Sequence, residues 1–236
     1  MIQQYILGDN GNVFDNSGNM FPYISGLFSA GMKLWLRADA GIVKDANDKV
    51  GVWRDQSGNG RDAIQGTAAN QPIWVDNELN GNPVLRFNGS QWLTTGDLSS
   101  AQPFSLFFVK KINSGSNTVI INNTSNTVLI QSNNESLIMR ALATNVLYPL
   151  TYPTPYFLTS AMFNTSNSGL YRNGQVESSG DAGSNSFGGG MVIGQSVNNV
   201  ARLNGDIAEI IFYNSLLSDP QRQSVENYLM TKYALT

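Results

Sequence analysis

The chain of 236 residues contains no cysteine and no histidine, and only 13% of it is charged. Each shortage removes chemistry. Without cysteine there is no disulfide, no thiol nucleophile and no thiolate metal site. Without histidine there is no Ser-His-Asp triad, no imidazole base and no His-ligated metal. The metal ligands that remain are carboxylates, amides and carbonyls, a donor set that suits hard ions such as Ca²⁺. Lys and Arg number 14 against 17 Asp and Glu, a net charge of −3. A slightly acidic chain is a poor match to a polyanion, so no nucleic-acid partner is expected. No stretch approaches the roughly 18 apolar residues of a membrane span. The most apolar window, Val146 to Phe163, is interrupted by Pro149, Pro153 and Pro155. The N-terminal MIQQYILGDNGN lacks a basic leader and a long apolar run, so no secretory signal is expected.

What is present is neutral polarity and a core. Asparagine occurs 28 times, glycine 23 times, and 41% of residues are hydrophobic. Short runs of β-branched and aromatic residues recur between turn-forming Gly, Asn, Asp and Ser, as in an antiparallel all-β sandwich. Strands are predicted at Met32–Arg37, Pro83–Phe87, Gln91–Thr95, Phe104–Lys111, Thr118–Asn122, Thr127–Gln131 and Ser136–Ala141. Four more are predicted at Tyr156–Phe163, Ser168–Arg172, Met191–Ile193 and Asp206–Tyr213. Asn-Gly pairs at Asn80-Gly81, Asn88-Gly89, Asn173-Gly174 and Asn204-Gly205 supply tight turns. From Ser218 the period becomes helical, with Ser218 and Gln221 as a capping box. Val225, Tyr228, Leu229 and Tyr233 then share one face, which predicts a C-terminal helix packed on the sandwich. The first thirty residues carry the near-repeats GDNGN and DNSGN and read as a short hairpin or a docking arm. The expected domains are therefore 1–30, the arm, and 31–236, the sandwich.

Four ordered segments carry a family resemblance. They are LWLRADAGIV with VWRDQSGNGRDAIQ, then NGNPVLRFNGSQWL, then LYRNG, then LNGDIAEIIFYNSLLSDPQRQSVENYLMTKYAL. Together, over about Gly31 to Leu235, they resemble the laminin-G-like (concanavalin A-like) jelly-roll domains of bacterial and phage proteins. The resemblance implies a jelly-roll β-sandwich and leaves function open, since this fold hosts lectins, glycosidases, adhesion modules and spacers.

Single motifs keep two readings. Asp55 in W-x-D-x-S-G-N-G accepts bonds from its own turn, or Asp55 and Asn59 hold Ca²⁺ or a sugar at the rim. Relatives of this type often take Ca²⁺ on scattered Asp and carbonyls, which makes Asp39, Asp55, Asn59 and Asp97 the metal candidates. DANDKVG (Asp45 to Gly51) starts like an EF-hand loop and fails at Lys49 and Val50. Trp74, Trp92, Tyr148, Tyr152 and Tyr156 are candidate sugar platforms, because apolar sugar faces stack on rings. Taken singly, each reads first as a core or rim aromatic. LYPLTYPTPY (Leu147 to Tyr156) combines three prolines with three tyrosines, which suits a preorganised contact surface or a blocked sheet edge.

Catalysis is not expected. Jelly-roll glucanases that resemble this fold carry E-x-D-x-E on one strand, where alternation sends every carboxylate into the cleft. Here the five Glu include no such pair, Asp76-x-Glu78 lies in a turn-like stretch, and Asp206 and Glu209 fall on opposite faces of a regular strand. In GDIAEIIFY, Ile207, Ile210 and Phe212 cannot share a face without a bulge or a strand buried on both sides. Glu209 is expected to pair with an Arg or to face solvent.

The leading expectation is a non-enzymatic phage virion protein, a capsid decoration or tail/fibre component whose N-terminal arm docks onto other virion proteins. Its jelly roll would adhere to host or environmental glycans at the virion surface. The alternatives are an extracellular bacterial lectin or adhesin domain and, less favoured, a glycoside hydrolase. A homotrimer or a multi-copy lattice suits such particles, and Ca²⁺ is the sole cofactor considered.

Overall fold

A computed structural model of the chain describes residues 31–114, 118–133, 136–141, 145–198 and 201–236, and two short N-terminal strands. Those strands, β1 (Ile6–Leu7) and β2 (Val13–Phe14), pair antiparallel in a sheet of their own. The rest of the expected docking arm lies outside the described residues.

The remaining strands follow in chain order. They begin with β3 (Met32–Arg37), β4 (Ile42–Lys44), β5 (Val50–Trp53), β6 (Ala63–Ile64), β7 (Ile73–Leu79), β8 (Asn82–Asn88) and β9 (Leu93–Asp97). Next come β10 (Phe104–Ile112), β11 (Thr118–Asn123), β12 (Leu129–Ser132), β13 (Ser136–Arg140) and β14 (Val146–Pro149). The last are β15 (Phe157–Phe163), β16 (Ser168–Arg172), β17 (Gln175–Gly180), β18 (Gly190–Ile193) and β19 (Asn204–Tyr213), before the helix α1 (Asp219–Tyr233). Among the described residues no helix is long and apolar enough to cross a membrane.

These strands form two antiparallel sheets, a jelly-roll β-sandwich. The first has the order β17-β16-β15-β10-β19-β8-β7, with β3 also on β19. The second has the order β14-β13-β12-β11-β18-β9-β6-β5-β4. Their facing sides enclose one apolar core that includes Leu36, Trp53, Phe87, Phe104, Phe108, Phe157, Phe212 and Met191. The other side of the first sheet is covered by α1, giving a second core of Trp35, Phe107, Leu158, Ile211, Tyr213, Val225, Tyr228, Leu229 and Tyr233. Both faces of that sheet are therefore dry, which is why β10, β15 and β19 read as nearly continuous apolar runs rather than clean alternations.

The helix matches its sequence signals. Ser218 caps it, the Gln221 side chain returns to the Ser218 N–H at 3.0 Å, and the four expected apolar residues are buried. It ends at Ala234 in the left-handed conformation, φ 49°.

Two Asn-Gly pairs make the expected tight hairpins. Asn80-Gly81 joins β7 to β8 and Asn173-Gly174 joins β16 to β17, every one of these residues at positive φ. Asn204-Gly205 does something else. It opens β19, and a Cβ on Gly205 would fall 2.2 Å from the Lys111 carbonyl, so glycine there permits close strand approach.

The sequence reading missed β4 to β7, β14 and β17. Asp76 to Glu78 lies within β7, where the register shifts between Val75 and Leu79 and Asn77 has φ 51°. The turn-like composition there marks a bulge inside a strand. The Leu147 to Tyr156 stretch begins as β14, the edge strand of the second sheet, and Pro149 closes it. A proline has no N–H to offer a further strand, so it suits an edge.

The bulge expected in β19 exists and corrects the carboxylate geometry. Val109 pairs with Glu209 but Lys110 pairs with Ile207, leaving Ala208 as the extra residue. Ile207, Ile210 and Phe212 consequently all enter the core between the sheets. By the same shift Asp206 and Glu209 lie on one face, the helix side, and not on opposite faces.

Candidate functional site

The two inward carboxylates of β19 are each fully engaged. Glu209 has no exposed surface. Its Oε1 accepts from Trp35 Nε1 at 2.6 Å and Tyr228 Oη at 3.1 Å, and its Oε2 from Lys232 Nζ at 2.7 Å and Tyr233 Oη at 2.8 Å. The charge partner is thus a helix lysine, where an Arg or solvent was expected. Asp206 accepts from Arg86 Nε at 2.8 Å and Nη2 at 3.0 Å, and from Tyr156 Oη at 2.5 Å. Arg86 also pairs with Glu78 at 2.8 Å. Burial, then the bond to Asp206, pushes the Tyr156 phenol well above its ordinary pKa, so it stays a donor.

The metal candidates are spent on local structure. Asp55 Oδ1 accepts from the Trp35 and Ser57 N–H groups at 3.0 and 2.9 Å, and Oδ2 from Ser57 Oγ and the Arg61 N–H at 2.8 and 3.0 Å. Asn59 Nδ2 donates to the Met32 carbonyl at 3.0 Å, closing this loop onto β3. Asp39 binds Arg37 at 2.6 Å and Lys232 at 3.1 Å. Burial opposes its charge, but the Arg37 hydrogen bond and Lys232 outweigh burial and hold its pKa at about 2. Asp97 is exposed and lowered by hydrogen bonds from Ser99. Among the described residues no group of three or more acidic side chains is gathered to hold a metal. Among the described residues these candidates do not form a site that fits a resident Ca²⁺.

The aromatic candidates scatter. Tyr148 is 1% exposed and belongs to the core between the sheets, where it offers no face to a ligand. Trp74 packs on that core, donates to the Ala38 carbonyl at 2.9 Å and carries Lys44 over its ring at 4.3 Å. Trp92 is half-buried and outside the buried clusters, with its backbone N–H on the Asn70 carbonyl at 3.0 Å. Tyr152 leans on the core and donates to the Asn133 carbonyl at 2.9 Å. Tyr156 lines a cleft.

That cleft is one of two that meet along the Pro149–Tyr156 segment. The first, of about 260 Å³, is lined by Pro149, Leu150, Thr151, Thr154, Pro155 and Arg172. The second, of about 360 Å³, shares Pro155 and Arg172 and adds Glu78, Asn80, Tyr156, Asn173 and residues 234–236. Their walls are fixed locally. Thr154 Oγ1 accepts from the Ile112 N–H at 2.9 Å, and Asn173 bonds the Leu158 N–H at 2.8 Å and the Thr236 carbonyl at 2.7 Å. Prolines stiffen the remaining rim.

Arg172 stands where the clefts join, its Cζ 4.9 Å from the Phe157 ring centroid. Among the described residues it has neither a hydrogen-bond acceptor nor an ion-pair partner. Beneath that ring lies Lys110, fully buried, with Nζ 3.6 Å from the Phe157 centroid and 2.5 Å from Thr159 Oγ1. Burial first, and the charge of Arg172 second, push the Lys110 pKa well below its ordinary value. Sequence reasoning took Arg172 only as part of a hairpin and did not single out Lys110. A signal for Lys110 exists: simple alternation from Phe104, Leu106 and Phe108 places it on the apolar face.

Similarity to known proteins is confined to shape. No protein-family profile matches the chain, and no curated protein matches it. The ligand-binding domain of botulinum neurotoxin serotype D, solved with N-acetylneuraminic acid, superposes with a TM-score of 0.62 at 16% identity. The match covers 85% of this chain and 51% of that one, so this chain spans about half the toxin domain. Domain 4 of AbnA, an extracellular arabinanase from Geobacillus stearothermophilus solved with arabinotriose, gives 0.58 at 15% identity, over 84% of this chain and 99% of that one. The Trypanosoma rangeli sialidase solved with sialic acid gives 0.59 at 14% identity, over 85% of this chain and 33% of that one. At these identities the likeness establishes the fold.

Proposed function

We propose that this jelly roll is a non-catalytic glycan-binding module and that the paired clefts beside Pro149–Tyr156 are its binding site. The observation that carries the reading is the junction itself. Two preformed concavities meet at an arginine with unused donors, beside a tyrosine and amide groups, the mixture that sugar hydroxyls and apolar sugar faces require. Three similarly folded structures were solved with a sugar or sialic acid bound, which supports the class of ligand. The non-catalytic part is supported by the state of the acids. Asp206 and Glu209 each hold several donors, so neither is a free acid or base.

The test is binding to immobilised glycans by the full chain and its variants. Tyr156→Ala should weaken retention at least tenfold, while Trp92→Ala, far from the clefts in its contacts, should leave it unchanged. Loss with Trp92→Ala and not with Tyr156→Ala would move the site elsewhere. Release of reducing ends from the bound glycan would overturn the non-catalytic reading.

The finer reading is display on a phage particle, with residues 1–30 docking to other virion proteins and the sandwich facing outward. It is supported by the laminin-G-like resemblance and by β1 and β2 pairing with each other in a separate two-stranded sheet. Deleting residues 1–30 should abolish incorporation into particles while leaving the thermal midpoint of the sandwich unchanged. Full incorporation of the truncated chain would refute the arm.

A further inference from the structure

We infer that the cleft junction selects glycans bearing a carboxylate, such as a sialic or uronic acid residue, and that Arg172 is the selecting group. This rests on the glycan-binding reading and deepens it.

The argument is one of unmatched charge. Arg86, which holds the cleft residue Glu78, is already answered by Asp206 and Glu78, and Arg222 on α1 by Asp219 and Glu226. Arg172 is answered by no acid among the described residues, although it is only partly exposed and held in place over Phe157. A guanidinium presents planar, paired N–H groups that match a carboxylate edge, and an unfilled set of them in a concave site is a vacancy for an anion. One further unpaired cation borders the clefts. Lys111 stands 5.4 Å from the Tyr156 centroid without an ion-pair partner among the described residues. The acid inside the larger cleft, Glu78, is held by Arg86. Phosphate or sulfate would meet the same donors, but the neutral wall of Pro149, Leu150, Thr151 and Pro155 suits a sugar ring bearing one flat charged group.

The experiment compares an acidic oligosaccharide with its carboxyl-reduced, neutral counterpart by calorimetric titration of the full chain. Sialylated, uronate-containing and sulfated probes form separate arms. The acidic form should bind about ten- to a hundredfold more tightly than the reduced form. Arg172→Met should remove that preference and bring both forms to the weaker value. Arg172→Lys should restore part of it, since the charge returns without the fork. Raising salt should weaken the acidic form alone. A merely structural Arg172 would lower the thermal midpoint and leave the ratio between the two forms intact, which would overturn the inference. Equal binding of the acidic and reduced forms would also overturn it and leave the glycan-binding reading standing. Preference for the sulfated arm over both sugar acids would overturn the carboxylate assignment. No binding to any probe would remove both readings together.

Discussion

Glu209 and Lys110 are two buried ionisable groups on neighbouring strands, on opposite faces of the same sheet, and the molecule treats them differently. The acid faces the helix and receives four donors, from a tryptophan, two tyrosines and a lysine. The base faces the core between the sheets and has one hydroxyl and two aromatic faces, those of Phe108 and Phe157. A buried charge is tolerated when its desolvation is offset by bonds, and only the acid meets that condition in full. The lesson is one of purpose. Glu209 clamps α1 to β19 and β3, so its network is architectural. Lys110 joins β10 to β15 through a single hydroxyl, and the charge it feels is that of the arginine at the cleft junction.

Substitutions at these positions break or sharpen that contrast. The largest effect should come from Glu209→Gln, which replaces an acceptor by a donor facing Lys232 and Tyr233. It should cost about 3–5 kcal/mol in urea unfolding, and loss of less than about 1 kcal/mol would mean that the hub is decorative. Next, Lys110→Met keeps the volume and removes the desolvated amine. It should stabilise by on the order of 1 kcal/mol, a rise of about 2–4 °C in midpoint for a chain of this size.

The same pair of proteins should differ in pH dependence. Because the Lys110 pKa is lowered by folding, the unfolded chain binds a proton below pH about 10.5 that the native state refuses. Wild-type stability therefore rises with pH between the lowered value and about 10.5, and the rise should be absent from the Met variant. The buried tyrosines, pushed upward by desolvation, act in the opposite sense at higher pH and cancel in the comparison. Identical pH slopes in both proteins would show that Lys110 is not desolvated in solution. Within the hub, the smaller effect should be Tyr233→Phe, which removes one donor to the carboxylate for about 1.5–3 kcal/mol. A cost as large as that of Glu209→Gln would mean that the four bonds act as one unit.

Legibility from sequence followed the range of the forces involved. The helix was readable because its cap, its period and its buried face are all local. The Asn80-Gly81 and Asn173-Gly174 hairpins were readable because left-handed residues are chemically rare. β4 to β6 escaped because they are two to four residues long, too short for alternation to register. The face shared by Asp206 and Glu209 escaped because one inserted residue, Ala208, reverses a parity that sequence spacing takes for granted. The clefts escaped for a different reason. Their walls come from the Pro149–Tyr156 segment, the β7–β8 hairpin, the end of β16 and the residues after α1, which no spacing rule relates. The proline-tyrosine segment was visible as unusual, and Arg172 was visible only as the residue before a turn.

The position of β19 also bears on the order in which the molecule can be made. It is last among the strands yet sits in the middle of its sheet, against β10 on one side and β8 and β3 on the other. Its pairing of Ile211 with Trp35 joins residues 176 positions apart. During synthesis β3 and β8 must wait, edges unsatisfied, until residue 213 has left the ribosome. Folding of the first sheet is thus a late closure, slow by its contact order and exposed to aggregation until the final strand inserts.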